Sequence, residues 1–387
     1  MRSSASLRRP SSEIAVRRSY AAAPPDPWLF GAVALLVAVG LVMVYSASSV
    51  TAYAEHLDTA YYVKRQFLWL LVGGALAYGA YRMDYLQLRR FAPYVLLAAT
   101  IGLLLVFVPH VGVRVNGVHR WIGIGSMTLQ PSEFAKLGIV IFLAAWLSGR
   151  EPRIDITKFT SGLFLACTPV LLMTALVLKE PDLGTASIIV MTAFVLLFAG
   201  GARIAHLLAV CFALVPAVVV EFVHNVMWRA RLFAFLDPWR DPQNTGFHII
   251  QSLYALGTGG LRGVGLGASR EKFFYLPEQY TDFIFSVLGE EAGLIGALVV
   301  VALFLLLAFR AVRIALSARE PFGFLLTIGC AAMIVLQAFV NIGVVTSSWP
   351  ITGVPLPFIS FGGSALAVDL IAVALILNVG RHRRIRG

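Results

Sequence analysis

Apolar stretches of about twenty residues, the length a helix needs to cross a bilayer, recur along nearly the whole chain and are separated by short polar segments. The pattern predicts spans near 28–49, 66–81, 91–108, 131–147, 159–178, 185–198, 205–228, 283–309, 322–345 and 361–379. No strand alternation is visible, and a helix satisfies all its backbone N–H and C=O groups within lipid. The expected fold class is therefore all-α: a polytopic membrane helical bundle of about ten transmembrane helices, with a long extracytoplasmic loop, about 229–282, between helices seven and eight.

Composition agrees, with 59% hydrophobic and 13% charged residues, where an average soluble domain carries roughly 25% charged. The net charge of +11 raises nucleic acid as a partner, but membrane topology accounts for it better. With the amino terminus inside, 19 of the 31 basic residues fall in inner segments, and six more lie in the long 229–282 connection. The bias predicts a multi-pass protein with both termini cytoplasmic, and no nucleic-acid partner. Residues 1–27 read as a basic, disordered cytoplasmic tail, 28–380 as one membrane domain and 381–387 as a second basic tail. The small-residue run at 21–23 precedes the first apolar stretch, which predicts an uncleaved signal anchor. Cys167, Cys211 and Cys330 lie in apolar runs without metal-ligand spacing and read as packing.

Most unusual residues fall in loops expected outside. The fourth span opens Gln130-Pro131-Ser132-Glu133, with Lys136 one turn on; Glu133 and Lys136 share a face as either a structural ion pair or a charge pair lining a cavity. Before it, Asn116-Gly117-Val118-His119-Arg120-Trp121 offers an anion-binding Arg120 and an interfacial tryptophan. Asp182, in Lys179-Glu180-Pro181-Asp182, suits an N-cap of the sixth span. The long connection carries Arg229, Arg231, Gln251 and six glycines from Gly257 to Gly267. It lacks the strand and the Gly-Lys-Ser/Thr ending of a nucleotide loop, so its glycines are expected to let irregular backbone meet a head group or line a cavity. Asp282 enters the eighth span, where spacing favours an N-cap, followed by Glu290 and Glu291. The segment from Pro350 to Ser364, with Ser360 and Ser364, reads as re-entrant and cavity-lining. Asp369 lies in the middle of the last span with no evident partner.

In their order, MVYSAS (43–48), NGVHRW (116–121), QPSEFAK (130–136), PDLGT (181–185), GGLRGVGLG (259–267), LPEQYTDFIF (276–285), GEEAGLIG (289–296) and PLPFISFGGS (355–364) resemble the SEDS family of shape, elongation, division and sporulation proteins, over about 26–381. MVYSAS and NGVHRW lie nearer its division members than its elongation members. The resemblance implies a peptidoglycan glycosyltransferase of the inner membrane, which polymerises lipid II onto an undecaprenyl-diphosphate-linked glycan with loss of lipid diphosphate. It implies Asp282 as the catalytic aspartate and general base, with Lys136, Arg120 and other outer-end cations steadying the diphosphate and Glu133 holding Lys136. The expected substrate-binding set is Lys136, Glu133, Arg120, Gln130, Ser132, Asp182, Arg229, Gln251, Ser360 and Ser364.

No resident cofactor or metal is expected, with a divalent cation (Mg or Mn) an option at the diphosphate. The implied partners are a class B penicillin-binding protein transpeptidase and other divisome membrane proteins. The family usually has histidine where Tyr280 stands, and Tyr and Ser where Phe361 and Ala365 stand, so a relay through that histidine does not carry over. A lipid II flippase, for which Glu221, Glu290, Glu291 and Asp369 would speak, and a non-catalytic scaffold are the alternatives.

Overall fold

The computed structural model describes residues 24–115, 118–124, 127–149, 158, 162–270 and 278–382. Both predicted tails fall largely outside these residues, as do Asn116, Gly117 and the Leu276-Pro277 pair. Among the described residues the helices run α1 Pro27–His56, α2 Tyr61–Arg82, α3 Tyr85–Leu105, α4 Pro131–Leu147, α5 Phe164–Lys179, α6 Leu183–Ala199, α7 Ile204–His224, α8 Val226–Leu236, α9 Phe247–Gly259, α10 Ile284–Leu316, α11 Pro321–Val345 and α12 Gly363–Arg381. Each predicted span overlies one of them. By length and composition, α1, α3, α10, α11 and α12 are long and apolar enough to cross a membrane, and α5, α6 and the start of α7 are shorter apolar helices.

The structure departs from expectation in three places. A three-stranded antiparallel sheet, β1 Gly112–Val115, β2 Val118–Ile124 and β3 Met127–Leu129, fills the connection between α3 and α4. Strands this short give too few positions for alternation to stand out. The seventh span ends at His224 rather than Trp228, because Asn225 Oδ1 accepts from the backbone N–H groups of Met227 and Trp228 at 3.1 and 3.3 Å and starts a new helix. The 229–282 connection holds most of α8 and all of α9, with irregular backbone over the rest of its described residues.

Packing is closest where small residues meet. α12 lies along α2, α3 along α4, and α10 along α1, α9 and α11, as expected where helices associate in lipid through close backbone approach. At one end, Arg310 of α10 ties to Asp26, whose Oδ1 also caps α1 through the Leu29 N–H at 3.0 Å. The segment 346–362 between α11 and α12 folds inward: Val354, Leu356, Phe358 and Ile359 are buried, and a Cβ at Gly40, midway along α1, would meet the Phe358 carbonyl at 2.3 Å. The loop is re-entrant, and Gly40 makes room for it.

Gly40→Val is expected to displace this loop and cost about 1–3 kcal/mol through overpacking. The check is the thermal unfolding midpoint of the purified protein in detergent, set beside a substitution at Gly31, where a Cβ meets nothing within 4 Å.

Candidate active site

Three connections converge where α10 begins: the sheet, the turn between α5 and α6, and the re-entrant loop. Asp182 caps α6, its Oδ1 accepting from the Thr185 N–H at 3.0 Å and its Oδ2 from the Thr185 hydroxyl at 2.9 Å. Gln130 joins this corner to α12: its side-chain amide reaches Ser132 Oγ at 3.0 Å and Asp182 Oδ2 at 3.2 Å, and its backbone N–H donates to Ser364 Oγ at 3.0 Å. Arg120, on β2, donates from Nε to the Glu180 carbonyl at 2.8 Å and also to the Pro181 carbonyl. Its guanidinium therefore braces a turn while its charge still acts on Glu180 and Asp282.

Asp282 lies in the turn just outside α10. It does not cap that helix; the cap position is Phe283, without a side-chain bond. Asn341 of α11 draws the peptide aside instead, donating to the Asp282 carbonyl at 2.7 Å and to the Val354 carbonyl at 2.8 Å. Ser360 Oγ binds the Thr281 carbonyl at 2.5 Å, and the Phe361 N–H binds the Tyr280 carbonyl at 2.9 Å. The Asp282 carboxylate lies against Gly353, whose Cβ would stand 3.5 Å from Oδ2, and makes no hydrogen bond among the described residues.

Enclosure of that carboxyl pushes its pKa up to about 7; the charges of Glu278 and Asp182 add to the rise, and Arg231 and Arg120 oppose it. The residue as a whole is half-buried, so the proton-accepting group is shielded yet has an edge open to a ligand. Nearby Glu180 is fully buried, and neither of its carboxylate oxygens has a hydrogen bond among the described residues. Burial first and the Asp182 charge second push it to about 8, against Arg120. Burial likewise lowers the pKa of Arg231, which faces the charges of Asp282 and Asp182.

A second polar group lies deeper. Lys136 Nζ and Glu133 Oε2 are 2.8 Å apart, each residue 2% exposed. Lys136 also donates to Gln337 of α11, whose amide donates to the Pro355 carbonyl at 3.0 Å. The pair thus supports the re-entrant loop from below. Asp369 of α12 is fully buried, feels the charges of Lys136 and Glu133, and has no hydrogen bond to either oxygen among the described residues.

Several predicted residues have other partners. Glu290 and Glu291 are buried and hold the glycine-rich segment: Ser269 Oγ and the Arg270 N–H donate to Glu290, and Ser46 Oγ of α1 donates to both oxygens of Glu291 at 2.7 and 2.8 Å. Gly259 and Gly263 therefore pack on protein, whereas Gly257, Gly260, Gly265 and Gly267 have open space where a Cβ would stand. A Cβ at Gly263, where φ is +79°, would stand 2.1 Å from the Glu291 carbonyl. The Glu221 side chain lies outside the description.

The sequence places Arg229 and Gln251 in the binding set, but the charge acting on Asp282 from α8 is that of Arg231. Two positions apart on a helix means different faces, so choosing between the arginines needs the packing of α8. Gln337 and Asn341 were missed, although two amides four residues apart on one face of an apolar span are a readable signal. Among the described residues, no three His, Cys, Asp or Glu side chains gather as a metal-holding set.

A helical bundle of apolar spans with a shielded carboxylate and arginines at one end defines a polytopic membrane protein with a polar site at that end. Residues 27–385 match the cell cycle protein family model of FtsW, RodA and SpoVE, and the chain belongs to that family. It is 43% identical over 361 residues to stage V sporulation protein E of Bacillus subtilis, covering 93% of this chain and 98% of that one. It is also 43% identical over 349 residues to the probable peptidoglycan glycosyltransferase FtsW of Geobacter metallireducens, covering 90% and 92%. Among solved structures, it matches a chain described under structural coordination of polymerization and crosslinking by a peptidoglycan synthase complex, with TM-score 0.75, 32% identity and coverage of 92% and 98%. The rod shape determining protein RodA of Thermus thermophilus matches with TM-score 0.68, 30% identity and coverage of 94% and 98%.

Removing one member of the deep ion pair leaves the other charge buried and uncompensated. Lys136→Met is expected to cost about 3–5 kcal/mol, and Lys136→Met with Glu133→Leu much less. A double-mutant cycle on unfolding midpoints measures the difference.

Proposed function

We infer that this chain is a peptidoglycan glycosyltransferase that polymerises lipid II on the outer face of the cytoplasmic membrane. Family membership and the curated relatives carry the enzyme class; the observation that carries the mechanism is the shielded Asp282 carboxyl with its pKa near 7. Asp282 acts as general base. It takes the proton of the lipid II sugar 4-hydroxyl as that oxygen attacks the anomeric carbon of the growing strand, and the bond from that carbon to the diphosphate oxygen breaks, releasing undecaprenyl diphosphate. A base with a pKa near the working pH suits this transfer.

Arg231 and Arg120 supply positive charge on the side where the leaving diphosphate gathers negative charge. Lys136, deeper and paired with Glu133, acts by supporting the loop that shapes the site. A magnesium or manganese ion, where required, would arrive with the diphosphate and be held by its oxygens. The convergence of the connections after α3, α5 and α11 at one end of the bundle supports their lying on one side of the membrane, and the bias of basic residues supports that side being the outer one, with both termini cytoplasmic.

The division role rests on the resemblance to FtsW; an elongation role like that of RodA is the alternative within the family. The peptidoglycan synthase complex among the structural relatives supports a class B penicillin-binding protein transpeptidase as partner. The flippase alternative loses two of its supports, since Glu290 and Glu291 are both engaged in hydrogen bonds within the protein.

The test is glycan formation from labelled lipid II in proteoliposomes with the cognate transpeptidase. Asp282→Asn should lower the rate about 10²- to 10⁴-fold while the variant remains folded and partner-bound. Because Asp282 must be ionised to accept a proton, the wild-type rate should climb as pH rises through about 7 and fall to about a tenth of its plateau one unit lower. Equal rates from both proteins would move the base elsewhere, and lipid II flipping without polymer would favour the flippase.

A further inference from the structure

Beside Asp282 stands a set of rings that the mechanism above does not use. Tyr280, two residues before it, lies 4.5 Å by ring centroid from Tyr62 of α2 and 5.9 Å from Phe361 of the re-entrant loop, and Tyr62 and Phe361 are 5.2 Å apart. Tyr61 extends the group at 5.3 Å from Tyr62 and stacks on His56 at 3.7 Å. The rings come from three segments distant in sequence, and the backbone bond from Phe361 to Tyr280 locks two of them together.

Tyr62 is buried and forms the base, whereas Tyr61, Tyr280 and Phe361 each keep part of their surface exposed. At the edge, Glu55 accepts the Tyr62 hydroxyl at 2.6 Å through Oε2; Oε1 has no partner among the described residues, and Glu55 is exposed. Arg65 donates to the Tyr61 hydroxyl at 3.0 Å.

Rings that merely anchored a helix at the interface would spread outward as a belt. Here Tyr62 meets Tyr61 and Phe361 edge to face and lies tilted at 34° to Tyr280, which is two residues from the candidate base. A pyranose presents a face of C–H groups with partial positive charge, which the negative face of an aromatic ring attracts, and ring hydroxyls that a carboxylate oxygen can bind.

We propose that Tyr61, Tyr280 and Phe361, with Glu55 at their edge, form a sugar-stacking subsite that holds an N-acetylhexosamine ring of the glycan next to Asp282. Continuity with Asp282 selects a sugar over a lipid chain as the occupant. This assignment rests on the polymerase reading, so its test separates the two.

The first arm measures binding of a soluble peptidoglycan tetrasaccharide to protein in nanodiscs by saturation-transfer NMR. Wild type and Asp282→Asn should bind alike, Tyr61→Ala and Glu55→Gln should bind about threefold to tenfold more weakly, and Tyr61→Trp should restore binding. The second arm measures polymerisation: Tyr61→Ala should raise KM for lipid II by a similar factor and shorten the strands, with kcat little changed. Binding and strand length unaltered in folded Tyr61→Ala and Glu55→Gln would overturn the subsite. Tetrasaccharide binding that depends on Tyr61 in a protein making no polymer would uphold the subsite and overturn the polymerase reading.

Discussion

The connection between α11 and α12 enters the bundle, and every polar backbone group it carries there must find a partner within the protein, since lipid offers none. Gln337 takes the Pro355 carbonyl, Asn341 the Val354 carbonyl and Gln66 the Ser360 carbonyl, while Gln66 Oε1 accepts from the Gly362 N–H. Ser360 Oγ accepts from the Leu356 N–H. Amides on two other helices thus dictate the course of the loop.

The same bonds set the site. Asn341 binds both the loop and the Asp282 carbonyl, and Ser360 and Phe361 bind the two residues before Asp282. The position of the candidate base is therefore a consequence of how the loop is satisfied. The deep Lys136–Glu133 pair belongs to the same network through Gln337. A buried ion pair adds little stability against an apolar substitute; here it secures a loop that must be irregular to meet Asp282. The glycine-rich segment follows similar logic at α10, where Glu290 and Glu291 hold irregular backbone over the kink at Gly293.

Much of the fold is legible in the sequence because lipid imposes a length and a polarity on each span. The ten predicted segments each meet a helix, and Asp182 caps α6 as its place before the span suggests. Misreadings fall where the chain leaves the membrane. The three-residue strand Met127–Leu129 shows no periodicity, and Asn225 ends α7 inside an apolar run that composition alone would continue. Asp282 has the position of a cap but not the role, since Asn341, distant in sequence, competes for its peptide.

By itself the sequence determined a multi-pass helical membrane protein with carboxylates and cations gathered at span ends, because twenty apolar residues in lipid have little choice but a helix. Only the tertiary structure decided which of those groups meet. A pKa depends on enclosure and on charges a few ångströms away, and for Asp282 these come from Glu278 in its own turn, Asp182 before α6, Arg231 on α8 and Arg120 on β2. Sequence spacing carries none of the distances between such elements, so the site is a property of their packing.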